Sequence, residues 1–138
     1  MERPEHRELR YDSPHCCLTI ERHGAGLVVL RISGTDVGEF GEAPMVALSE
    51  WLAASKGVEL FIDARDVRGA TIDVSGEWAI WLGREKAKFR TITMLTGTRF
   101  INITAEFVRR FAELEGIMRI CTEPDAFDGA IRDALASP

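Results

Sequence analysis

The sequence predicts a single α/β domain with a mixed, mostly parallel five-stranded sheet, in the order β-β-α-β-α-β-α-β-α. Three observations predict it. Short apolar runs alternate with longer stretches whose apolar residues recur at helical spacing. The run Leu60-Phe61-Ile62 has no polar break, as in a strand covered on both faces. Two early strand-like segments are joined by a short glycine turn, which makes them an antiparallel pair and the sheet mixed.

Residues 1–14 are polar, with Pro4 and Pro14, and are expected to be a loose N-terminal segment ahead of one domain over 15–138. Cys17 to Arg22 alternates apolar with polar, the signature of a half-buried strand. His23 to Gly26 is a turn, and Leu27 to Ile32 is the second strand, ended by Ser33-Gly34-Thr35-Asp36. A helix is expected from about Gly41–Pro44, with Pro44 in its first turn and Met45, Leu48, Trp51, Leu52 and Ser55 on one face. Gly57 is expected to stop it.

The third strand is Val58 to Ala64, followed by a polar, glycine-containing turn. The second helix starts near Ser75, with Trp78, Trp81, Leu82, Glu85 and Phe89 on one stripe. Ile92 to Leu95 is the fourth strand. A third helix covers about Ile103 to Glu115, with Phe107, Val108, Phe111 and Leu114 inward and Gly116 as its stop. Ile117 to Cys121 is the fifth strand, and the last helix begins at Thr122-Glu123-Pro124, with Phe127, Ile131 and Leu135 repeating every four residues.

The totals exclude several functions. A length of 138 residues suits one compact domain, and 46% hydrophobic with 28% charged residues is ordinary for a soluble fold. A net charge of -5 argues against nucleic acid as a partner, because phosphate binding needs a basic face. No apolar stretch is long enough for a membrane span, and the charged start lacks a secretory h-region, so a cytoplasmic location is expected. Cys16, Cys17 and Cys121 are an odd count and a poor disulfide framework. His15-Cys16-Cys17 lacks the paired spacing of a metal site, so no metal is expected. No P-loop is present and no G-x-G-x-x-G follows a strand, so no cofactor is expected either. No nucleophile arrangement marks an enzyme: His6, His15 and His23 all precede the second strand.

Sites of open α/β sheets form beyond the C-terminal ends of the strands. Here that rim holds Asp63, Asp73, Gly76, Glu77, Thr96, Thr98 and Arg99, which form the expected partner-binding surface. Ser75 stands out on it. At a helix N-terminus its hydroxyl is either a simple cap, a role open to Asp73 as well, or a point where added phosphate meets free N–H groups. Trp51, Trp78 and Trp81 are either core residues or the lining of an apolar ligand pocket.

The pieces Leu60-Phe61-Ile62-Asp63 and Asp73-Val74-Ser75-Gly76, in this element order, resemble the STAS domain. That family comprises bacterial anti-sigma-factor antagonists and also occurs in the cytoplasmic tails of sulfate transporters. The family motif is Asp-Ser-Ser-Gly before an apolar residue. Here Val74 replaces one serine and Glu77 replaces the apolar residue, and the turn after Asp63 is longer. The resemblance implies a non-enzymatic signalling module with Ser75 as phospho-acceptor and an anti-sigma or kinase-like protein as partner. A related group, the STAS-like proteins grouped with lipid-binding Sec14 domains, is similar around Phe89-Arg90-Thr91 and Thr122-Glu123-Pro124-Asp125-Ala126-Phe127. It implies a small-molecule or lipid-binding module without phosphorylation. A homodimer through an exposed sheet edge or helix face is a further expectation.

Overall fold

The structure is a computed structural model and describes residues 6–136. Six strands, β1 (His6–Asp12), β2 (Cys16–His23), β3 (Leu27–Asp36), β4 (Val58–Ala70), β5 (Phe89–Thr96) and β6 (Met118–Cys121), lie side by side in chain order. β1–β2 and β2–β3 are antiparallel, and β3 to β6 are parallel. The helices are α1 (Ala43–Leu52), α2 (Ile72–Glu85), α3 (Arg99–Phe111) and α4 (Pro124–Ala136).

Each strand sends alternate side chains to opposite faces. In β3, Val28 and Leu30 join the core under α1, α2 and α3, while Leu27 and Val29 join Phe61, Leu95, Phe127 and Ile131 under α4. Three helices therefore cover one face and α4 covers part of the other. β4 is buried on both sides, which is why its first half reads as an unbroken apolar run.

The sheet has six strands where five are expected, because the segment expected to be loose contributes one. His6–Asp12 pairs with β2 along its whole length, and Leu9 and Tyr11 pack on the main core, with the Tyr11 and Phe40 rings 5.8 Å apart. Its charged residues face water on an edge strand, where charge discourages pairing with other chains. The first residues of that expected segment lie outside the described ones.

Two expected turns are strand. β3 runs on through Ser33–Asp36 and β4 through Arg65–Ala70, and these extensions pair in parallel past two register shifts. Gly34 makes the bend possible: its φ is 88° and a Cβ there would overlap the His15 carbonyl oxygen. Gly57 does not end α1, which stops at Leu52. It turns the chain into β4 with φ 67°.

α3 also departs from expectation. It begins at Arg99, and Ile101, Ala105 and Val108 face the core, whereas Phe107 and Phe111 face outward and stack at 5.8 Å. Gly116 is not its stop. Glu113 adopts φ 58°, and the N–H groups of Glu113 and Leu114 donate to the carbonyls of Arg110 and Arg109. That is a Schellman end with a non-glycine residue in the left-handed position. Glu113→Gly should therefore raise stability by about 1 kcal/mol, read as a higher midpoint in urea. A lower midpoint would show that the exposed Glu113–Lys86 pair outweighs the backbone strain.

Candidate functional site

Because β4 continues to Ala70, α2 starts at Ile72 and its cap is Thr71. The Thr71 hydroxyl accepts the Val74 N–H at 3.2 Å, and its carbonyl accepts the Ser75 N–H at 3.0 Å. Neither Asp73 nor Ser75 is the cap. Asp73 is exposed in the first turn, where its charge suits the helix dipole. Ser75, two positions further along, is half-buried and turned toward the sheet.

Ser75 and Trp78 line a cavity of about 100 Å³ between the sheet and the helices α2 and α3. Its walls are almost wholly apolar, with Ile32, Ile62, Met94 and Val108 among them. Trp81 lies outside it as a core residue, and Trp51 packs at the edge of the core. Of the three tryptophans, Trp78 is therefore the one that faces the cavity.

The expected rim divides in two. Asp73, Ser75, Gly76 and Glu77 stay together on the first turns of α2. Thr96, Thr98 and Arg99 line a separate polar cleft of about 620 Å³ with Arg65, Asp66 and Asn102. Thr96 is buried and accepts a hydrogen bond from Asn102 Nδ2 at 3.1 Å. Thr98 caps α3 by accepting the Ile101 N–H at 3.1 Å, and Arg99 is exposed. Gly97 packs so closely on the Arg65 carbonyl that a Cβ would collide with it.

Asp63 is not a rim contact. It is buried, accepting from Arg31 Nη1 at 2.9 Å and from Arg65 Nε at 3.0 Å. Arg65 reaches on to Asp128 of α4, and Arg31 to Glu21 of β2. Charged residues thus join β2, β3, β4 and α4 on the face opposite the three-helix layer. Sequence reasoning missed Arg31 and Asp128, which lie far from Asp63 in the chain and meet it only through strand register and helix docking.

The Arg65 guanidinium holds the Asp128 carboxyl below the usual carboxylate range. The folded chain therefore binds this proton less readily than the unfolded chain does. The contribution is present at neutral pH and is lost as pH falls through the folded value. Asp128→Asn should lower the melting temperature at neutral pH, and by less in acid, as pH falls below the usual carboxylate range. An equal loss at both pH values would mean that the pair does not titrate with folding.

Burial pushes the Cys16 thiol up to about 11 and raises Cys121, while a hydrogen bond to Asp12 raises Cys17. All three stay protonated at neutral pH, the opposite of what a nucleophile needs. Near His15, the Ser13 hydroxyl donates to Glu39 and accepts the N–H groups of His15 and Cys16, which makes a turn. Among the described residues no cluster of three His, Cys, Asp or Glu can hold a metal ion, and no helix is long and apolar enough to cross a membrane.

Strand order and helix placement give this chain an α/β fold of the SpoIIAA-like kind. Two solved structures share the fold. One is an uncharacterized protein of the DUF3478 family with a SpoIIAA-like fold from Shewanella loihica PV-4, 15% identical over 94% of this chain and 98% of that one, with a TM-score of 0.59. The other is the anti-sigma factor antagonist SpoIIAA in its unphosphorylated form, 18% identical over 83% of this chain and 96% of that one, with a TM-score of 0.55. No family model and no curated protein matches the sequence. At these identities the likeness establishes the fold.

Proposed function

We propose that this chain is a non-enzymatic regulatory binding module that takes a small apolar group in the cavity beside Trp78 and Ser75. The cavity itself carries the reading. An apolar occupant of this space of about 100 Å³ would bury its own surface and that of the walls, at about 25 cal/mol per Å² of apolar area removed from water, so its binding is stabilising. Its size suits a single ring or a short alkyl chain of about six heavy atoms, since an engineered apolar cavity of roughly 150 Å³ holds benzene. Ser75 is the hydroxyl that would orient a polar end. Free thiols among the described residues agree with a reducing, cytoplasmic location.

The test uses benzene and phenol, each a single ring, as probes. Either should raise the melting temperature of the wild-type chain, and Ala105→Leu, which fills the cavity from α3, should abolish that rise while keeping the fold. A wild-type chain indifferent to both probes would sink the reading.

A second reading is favoured by the place of Ser75 in the first turns of α2. There a phosphate would add about -1.5 to -2 charges and alter docking of an anti-sigma or kinase-like partner on Asp73, Gly76 and Glu77. The fold likeness to an anti-sigma factor antagonist supports it. Peptide mapping of the chain from its own cells decides between the two. Phosphate on Ser75 that changes with growth condition supports the switch, and a bare serine throughout rejects it.

A further inference from the structure

The outer side of the helical layer carries two features that match each other. The first is a ridge along α3. Phe100, Ile103, Phe107 and Phe111 are each more than half exposed, and the last two rings stack. Arg99 and Arg110 flank this ridge and form no ion pair among the described residues. The second is a groove of about 500 Å³ between α1 and α2. The exposed apolar side chains Val46 and Ile80 line it with Glu42, Glu50 and Glu77, which also lack ion pairs among the described residues. Arg84 is the cation in its lining.

We propose that these surfaces meet between two copies of this chain, the α3 ridge of each protomer seated in the α1–α2 groove of the other. Charge carries the choice of occupant: a chain of net charge -5 places two unpaired arginines beside its apolar ridge, and unpaired carboxylates beside its apolar groove. Length agrees. Phe100 to Phe111 and Glu42 to Ala53 each span eleven steps along the chain, about 16 Å of helical rise.

α2 lies between α1 and α3 on one face of the sheet, so a two-fold axis in the plane of the contact can make both contacts at once and close the pair. With about half of each large side chain bare, the ridge offers on the order of 400 Å² of apolar surface. Two ridges and the two grooves they cover then bury on the order of 1,600 Å², the standard size of a specific interface.

Sedimentation velocity on the full chain, from low micromolar to near millimolar, tests the proposal. The wild type should become a dimer at the upper end. Arg99→Glu with Arg110→Glu, and separately Glu42→Arg with Glu50→Arg, should each stay monomeric with unchanged circular dichroism. An equimolar mixture of the two reversed chains should recover the dimer, because each contact then pairs opposite charges. A wild type that is monomeric throughout overturns the proposal. So does a dimer that survives both reversals and Phe107→Glu. Species larger than two copies that vanish in the same variants overturn the closed pair. A monomer that instead floats with anionic phosphatidylglycerol vesicles through Phe107 assigns the ridge to a membrane surface and overturns it too.

Discussion

Trp81→Ala should cost about 4 kcal/mol and lower the melting temperature by about 15 °C. Trp81 is 1% exposed and lies where α1, α2 and the sheet meet. Its ring meets Trp78 at 5.8 Å and Phe89 at 6.1 Å, both edge-to-face. Its Nε1 donates to Ser49 Oγ at 2.9 Å, and Ser49 donates in turn to Glu85 at 3.1 Å. Truncation leaves a large void and strips the α1 hydroxyl of a donor. Trp81→Phe keeps most of the packing and should cost about 2 kcal/mol, while Ser49→Ala, which removes only the hydroxyl, should cost about 1 kcal/mol. Urea unfolding of the three variants checks this order. If Trp81→Ala stays within 1 kcal/mol of the wild type, Trp81 does not tie α1 to α2.

Asp63→Ala should cost about 3 kcal/mol. The carboxylate is buried between two guanidiniums, and its loss leaves Arg31 and Arg65 facing each other without the anion between them. Their side chains remain 41% and 29% exposed, so water screens part of the repulsion and holds the cost at the low end for a broken buried pair. Adding Arg31→Met should recover part of the loss, because one uncompensated charge goes with it. A double variant no more stable than Asp63→Ala would show that the cost is local packing instead. For function, weakened partner binding in an Asp63 variant then reports on folding, since the side chain is not on the surface.

Element order was legible because strand and helix periods differ, and a strand buried on both faces leaves a mark as plain as Leu60-Phe61-Ile62. The inward face of α3 was not legible. Its sequence carries apolar residues on two sides, and the larger ones, Phe107 and Phe111, are the natural choice for a core. The sheet takes the smaller side instead, with Ala105 against the cavity and Ala112 packed on Gly83 of α2. Close approach of two helices selects small residues there, and nothing local to α3 announces that neighbour. β1 was hidden for a related reason: the charges that make His6–Asp12 read as loose are those that suit an exposed edge strand.

The candidate site divides along the same line. Sequence alone picked out Ser75, Trp78 and the polar residues after the third and fourth predicted strands, because residue type and position relative to a strand end are local facts. Tertiary structure alone decided what each of them does. The extension of β4 against β3 moved the start of α2 back to Ile72, passed the cap to Thr71 and turned Ser75 toward an apolar cavity. Strand register brought Arg31 to Asp63, and the docking of α4 brought Asp128 to Arg65. Each of these outcomes depends on a pairing between segments distant in the chain. Periodicity can say that a segment has a face to bury, but only the packed fold determines what that face meets.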